Sequence, residues 1–148
     1  MTIINDIYSQ ELCWISKIFE KYIWNPLEVH LQKIDYKFNL DSCNEGRCIK
    51  LWKKYSIVIG TDKKNSWNDM YVGIKSEVEL KESFGKLTCF DKEPNKSWPY
   101  GWIYLPRDLR NWEEYKGREN IINGKVKEWL CQKIDEIIQE IDNKHIDL

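Results

Sequence analysis

A chain of 148 residues is the size of one ordinary domain, and with 42% hydrophobic side chains it is expected to build one core. Its 23 basic and 24 acidic residues nearly cancel, so no overall field draws it to nucleic acid or an anionic membrane, and any such attraction must be local. Apolar runs such as "SIVIG" fall far short of the ~20 residues of a membrane span, and "MTIINDIYSQ" lacks the pattern of a secretory signal, so the expectation is a soluble, cytoplasmic protein with no membrane partner.

From Ile7 the apolar positions Leu12, Ile15, Phe19, Tyr22 and Ile23 recur at helical spacing, which predicts a first helix that Pro26 ends near Asn25. "PLEVHLQK" fits either a strand or a new helical turn and stays ambiguous. Ile34, Tyr36, Phe38 and Leu40 then alternate with polar residues, as on a half-buried strand. "CNEGRC" predicts a turn in which Asn44 and Gly46 can take positive φ. "IKLWKKYSIVIG" predicts a long second strand ending at Gly60, "TDKKNSWND" a polar turn, "MYVGIKSE" a third strand, "GKLTCF" a fourth and "YGWIYL" a fifth. The chain then turns helical, briefly around Trp112 and at length from Glu119 to Ile141, where Ile122, Val126, Trp129, Leu130, Ile134, Ile137, Ile138 and Ile141 make an apolar stripe.

This order predicts a single α+β domain over residues 1–148: an antiparallel meander of about five strands with the N-terminal and C-terminal helices packed on one face. The absence of alanine alongside abundant Ile, Lys and Asn points to an AT-rich coding genome, as in a bacterium or a mobile element.

Groups that make and break bonds are sparse. Cys43 and Cys48 are spaced like one ligand pair of a zinc ribbon, but no second pair follows, so no metal site is expected. The five cysteines are an odd number spread across predicted helices and strands, which favours reduced thiols. His30 stands between Val29 and Leu31 with only Glu28 as an acidic neighbour, and His145 lies at the chain end, so neither suggests a nucleophile's base. No glycine-rich phosphate loop occurs, so no cofactor is expected. Glu77, Glu79 and Glu82 sit in a mixed-charge segment that reads as solvated. No catalytic residue is assigned, and a non-enzymatic role is the expectation.

Residues 46 to 64 hold the most uneven charge, Arg47, Lys50, Lys53, Lys54, Lys63 and Lys64 against Asp62 alone. On the predicted long strand Lys50, Trp52, Lys54 and Ser56 share one side, and basic groups interleaved with aromatics suit contact with phosphates and stacking on bases. The alternative is an edge strand guarded by lysines. In "SWPYGWIYLPRDLRNW" a strand would put Trp98, Tyr100, Trp102 and Tyr104 on one face, either as core packing or as an exposed stacking surface beside Arg107 and Arg110.

"MYVGIKSE", "WPYGWIYLPRDLRNW" and "INGKVKEWLCQKIDEIIQEID" together resemble the C-terminal region of bacterial nuclease-superfamily proteins of the PD-(D/E)XK type. In those a strand ending in Tyr-x-Gly-Ile, a Trp-Pro-rich strand, an Asn-Trp pair and a terminal amphipathic helix follow in that order, and the likeness covers roughly residues 50 to 142. The resemblance implies an association with DNA processing, phage defence or mobile elements and carries no catalytic residue over. "ELK" at Glu79 to Lys81 matches the family's Glu-x-Lys in letters alone.

The sequence thus reads as a binding or regulatory module. Its expected contact residues are Lys50, Trp52, Lys54, Trp102, Arg107 and Arg110, and its expected ligand is nucleic acid held weakly. The alternative is a protein partner, as for an immunity or inhibitor protein, docked on an aromatic patch.

Overall fold

Phe19, Ile23, Leu27 and Leu31 follow one another at four-residue steps and are all buried, which places them on one helical face. In the computed structural model, which describes residues 16–52, 55–61, 70–78, 85–110 and 115–143, that face runs straight through Pro26. A π-helical turn, Glu20–Trp24, leads into helix α1 (Asn25–Ile34), with the Asn25 N–H donating to the Glu20 carbonyl. The expected stop at Asn25 does not occur. The wide turn just ahead of the proline relieves the clash of its ring with the carbonyl one turn back, and it also lets the neighbours Ile23 and Trp24 both face inward.

The predicted strand from Ile34 to Leu40 is absent. α1 runs to Ile34, and Asp35 then folds the chain back, its Oδ1 accepting from the Lys37 N–H at 2.9 Å and its carbonyl from the Phe38 N–H at 3.0 Å. Such an Asx turn competes with strand geometry. Tyr36, placed by its spacing on the buried side, is 80% exposed.

Five antiparallel strands follow, paired in chain order: β1 (Asp41–Cys43), β2 (Gly46–Trp52), β3 (Tyr55–Thr61), β4 (Met70–Ser76) and β5 (Trp102–Tyr104). The meander and its strand number agree with expectation, whereas two further members differ besides the absent strand at Ile34–Leu40. "IKLWKKYSIVIG" is a hairpin, with Trp52 opposite Tyr55; left straight, its twelve residues would span about 40 Å, more than a small sheet can cover. "GKLTCF" is a turn around Thr88 and Cys89 that buries Leu87 and Phe90.

Register sorts the side chains into two faces. Ile49, Ile57 and Ile74 form one row and Ile59 and Val72 the next, all 0% exposed and packed in one cluster with the α1 stripe. Val126, Leu130, Ile134, Ile137 and Ile141 of the C-terminal helix join that cluster, so both helices cover the same face. The expected helix from Glu119 to Ile141 is two: after α2 (Arg107–Arg110), α3 (Tyr115–Ile122) and α4 (Lys125–Asn143) are separated at Gly124, whose φ is +87°. Ile122 leaves the stripe and is half exposed. His30 of α1 is bonded to Asp135 of α4 at 2.7 Å, an acidic partner 105 positions away that local sequence does not offer.

The first part of the predicted N-terminal helix, the "TDKKNSWND" turn beyond Thr61, the helix at Trp112, and Cys13, Lys54 and His145 lie outside the described residues.

Candidate functional site

The face of the sheet turned away from the helices carries Cys48, Lys50, Ser56, Val58, Gly60, Tyr71, Gly73, Lys75, Trp102 and Tyr104, because these alternate with the core row along each strand. Gly73 lies between Val58 and Trp102 in register, and Trp98 sits over it. A Cβ at Gly73 would meet Trp102 Cβ at 2.7 Å and Trp98 Cε3 at 3.0 Å, so only glycine admits the indole.

Around that gap four rings meet at steep angles. Trp98 lies 5.4 Å from Tyr71 and 6.4 Å from Trp102, and Tyr104 lies 6.0 Å from Tyr71, all between centroids. Such spacings are those of attractive ring pairs. Tyr71 is buried beneath, while Trp98, Trp102 and Tyr104 stay half-buried with part of each ring open. Tyr100, expected on the same strand face, instead belongs to the core and packs on Tyr55. The chain turns between Trp98 and Gly101, so strand alternation begins only at Trp102.

Three cations stand over this cluster: Lys75 5.9 Å from the Trp98 ring, and Lys92 and Arg110 5.7 and 5.6 Å from Tyr104. Arg110 Nε is buried without a hydrogen bond. Lys75 also bonds the Glu45 carboxylate from the β1–β2 turn. Burial would push the Glu45 carboxyl up, but the Lys75 ammonium, a backbone N–H and the Cys43 side chain together outweigh it and hold the group below the usual carboxylate range.

Of the residues expected at the site, Lys50 is exposed on this face, in one row with Ser56 and Lys75. Trp102 shares the face three strands away, about 14 Å by strand spacing. Arg110 reaches Tyr104 from α2, and Arg107 is exposed one turn earlier. The β2 register is irregular between Lys50 and Trp52, and the Trp52 side chain lies outside the described ones. Tyr71, Lys75 and Lys92 were missed. The strand glycine in "MYVGIKS" was the available signal, since a glycine inside a strand marks close approach by another group.

Among the described residues no three His, Cys, Asp or Glu side chains converge as metal ligands, and no helix is long and apolar enough to cross a membrane. Comparison with family models, curated proteins and solved structures returns no match for this chain.

Proposed function

We propose that the chain is a non-catalytic binding module that contacts single-stranded nucleic acid through the aromatic cluster of β4 and β5. The observation that supports this is the grouping of Tyr71, Trp98, Trp102 and Tyr104 with Lys75, Lys92 and Arg110 on the helix-free sheet face. Half-open rings offer stacking worth about 1–3 kcal/mol per base without reading sequence, and the surrounding cations, with Lys50 and Arg107 beyond them, meet phosphates. With Lys75 already paired to Glu45, few cations are left to neutralise phosphates, so the binding is weak and salt-sensitive, with a slope of about −0.7 per phosphate. The resemblance of residues 50–142 to PD-(D/E)XK proteins supports a DNA-processing or phage-defence setting.

The test is fluorescence anisotropy of a labelled oligothymidylate against the purified full chain at low salt. Trp102→Ala and Arg110→Ala each weaken binding about tenfold, consistent with one stacked base or one phosphate contact, and Lys50→Glu weakens binding while making the loss on adding salt shallower, because one phosphate contact fewer releases counterions. A flat titration rejects the reading.

A protein partner is the second reading, favoured by the concentration of two Trp, one Tyr and one Arg in a single half-buried patch, the residue types that dominate binding hot spots. In that case Trp102→Ala abolishes capture of the partner, whereas Lys50→Glu leaves it intact.

A further inference from the structure

At the end of the sheet where the β1–β2 turn meets β3 and β4, a cavity of about 260 Å³ opens beneath the π-helical turn, with Trp24, Cys43, Arg47, Thr61 and Met70 among its walls. It shares no residue with the aromatic cluster.

Arg47 is its notable member. It is opposite Ile59 in register, on the helix-covered face, and its guanidinium lies 5.3 Å from the Trp24 ring centroid. One hydrogen bond is formed among the described residues, from Nη1 to the Gly46 carbonyl at 3.2 Å, out of the five that a guanidinium can donate. Among the described residues no carboxylate pairs with it. Glu45, two positions away, is itself in the cavity wall, but its carboxylate is bonded to Lys75 instead. A half-buried cation with spare donors in a cavity, lying over an indole, is the arrangement that receives an oxyanion in a two-pronged contact.

We propose that this cavity binds a small organic anion, its carboxylate or phosphate taken by Arg47 and its apolar part resting against Trp24 and Met70. The volume lies below the range of drug-sized pockets, which restricts the ligand to a compact molecule. Carboxylate and phosphate share the chemistry, and the experiment separates them.

Cys43 supplies the readout, since the residue lines the cavity and its side chain lies beside Glu45 of the same wall. The full chain is alkylated with iodoacetamide in the presence of benzoate or acetate in one arm, and of adenosine monophosphate or inorganic phosphate in the other. Chloride at equal ionic strength is the control, and modification is mapped by peptide mass spectrometry. One arm slows alkylation of Cys43 severalfold while Cys131 is unaffected, and the protecting arm names the anion. Arg47→Gln removes the protection, and Arg47→Lys, which keeps the charge but loses the fork, retains part of it. Oligonucleotide binding by Arg47→Gln stays at the parent level, which separates this site from the aromatic face. Failure of both arms to protect Cys43 at millimolar concentration, or equal protection in Arg47→Gln, overturns the proposal; should that variant not fold, the parent chain's protection decides alone.

Discussion

The Glu45 carboxylate and the Lys75 ammonium meet across the helix-free face of the sheet, joining the β1–β2 turn to β4 over 30 positions of sequence. Glu45 lies beside Gly60, and Lys75 is in register with Ser56, so their bond passes over the row of Val58. Val58 is 2% exposed on a face that no helix among the described residues covers, and this bridge together with Trp98 helps to account for its burial.

That pair makes stability depend on acid. The folded-state pKa of Glu45 lies below the ordinary 4.5, so its contribution is complete above that value and is lost as pH falls through the lower folded-state pKa. Glu45→Gln therefore costs about 1 kcal/mol at neutral pH, the upper end for a partly exposed pair. It also flattens the acid limb of stability below 4.5, as measured by urea unfolding across the acid range.

Glu140 performs a second tie, from α4 to the turn before Phe90. Its carboxylate accepts from the Thr88 N–H at 2.6 and 2.9 Å and from the Thr88 hydroxyl, and it is only 9% exposed. Glu140→Ala removes bonds to a charged acceptor and leaves the Thr88 N–H without its partner, a loss of about 2–3 kcal/mol. Thr88→Ala, which removes only the hydroxyl, costs less in the same urea titration. Equal stability of Glu140→Ala and the parent would show that the turn is held elsewhere.

The course of the chain at Gly124 shows where sequence patterning stops being sufficient. The apolar stripe from Val126 to Ile141 was legible because 3.6-residue periodicity is a property of one helix, but Asn123 and Gly124 break the backbone without breaking the pattern. At Pro26 the stripe is legible as far as Ile23, but its continuation through Leu27 and Leu31 rests on the π-turn, which spacing does not report. Period-two alternation puts Lys50 on an exposed sheet surface and leaves Trp102 open between core packing and an exposed face, and the two do share a face. The pairing of Trp52 with Tyr55 and the irregularity between Lys50 and Trp52 depend on strand pairing that alternation cannot report. Long-range partners, Asp135 for His30 and Trp98 over Gly73, arise from packing alone.

Gly124 yields a prediction that separates backbone conformation from contact. Its φ is +87°, and a Cβ there would meet nothing within 4 Å. Gly124→Ala costs about 1–2 kcal/mol through left-handed strain, and Gly124→Asn costs less, because asparagine adopts this conformation more readily. Thermal unfolding of the two variants orders them; alanine as stable as glycine would mean that α3 and α4 can join into one straight helix.

Thiol chemistry gives the last test. Burial, reinforced by the neighbouring Cys43 thiol and by Asp41 and Glu45, pushes Cys48 up to about 11. Burial and the Glu140 carboxylate do the same for Cys89, to about 11, with Lys133 opposing them. A raised pKa leaves little thiolate at neutral pH, and the thiolate is the form that reacts. Alkylation of Cys48 and Cys89, followed by peptide mass spectrometry, is therefore slow at neutral pH, and its rate keeps climbing tenfold per unit toward 11. In 6 M urea both thiols titrate near the ordinary 9.0, and the difference between the two profiles vanishes. A Cys48 rate that levels off near 9.0 in the folded chain would show that the β1–β2 hairpin opens to solvent faster than the reagent attacks.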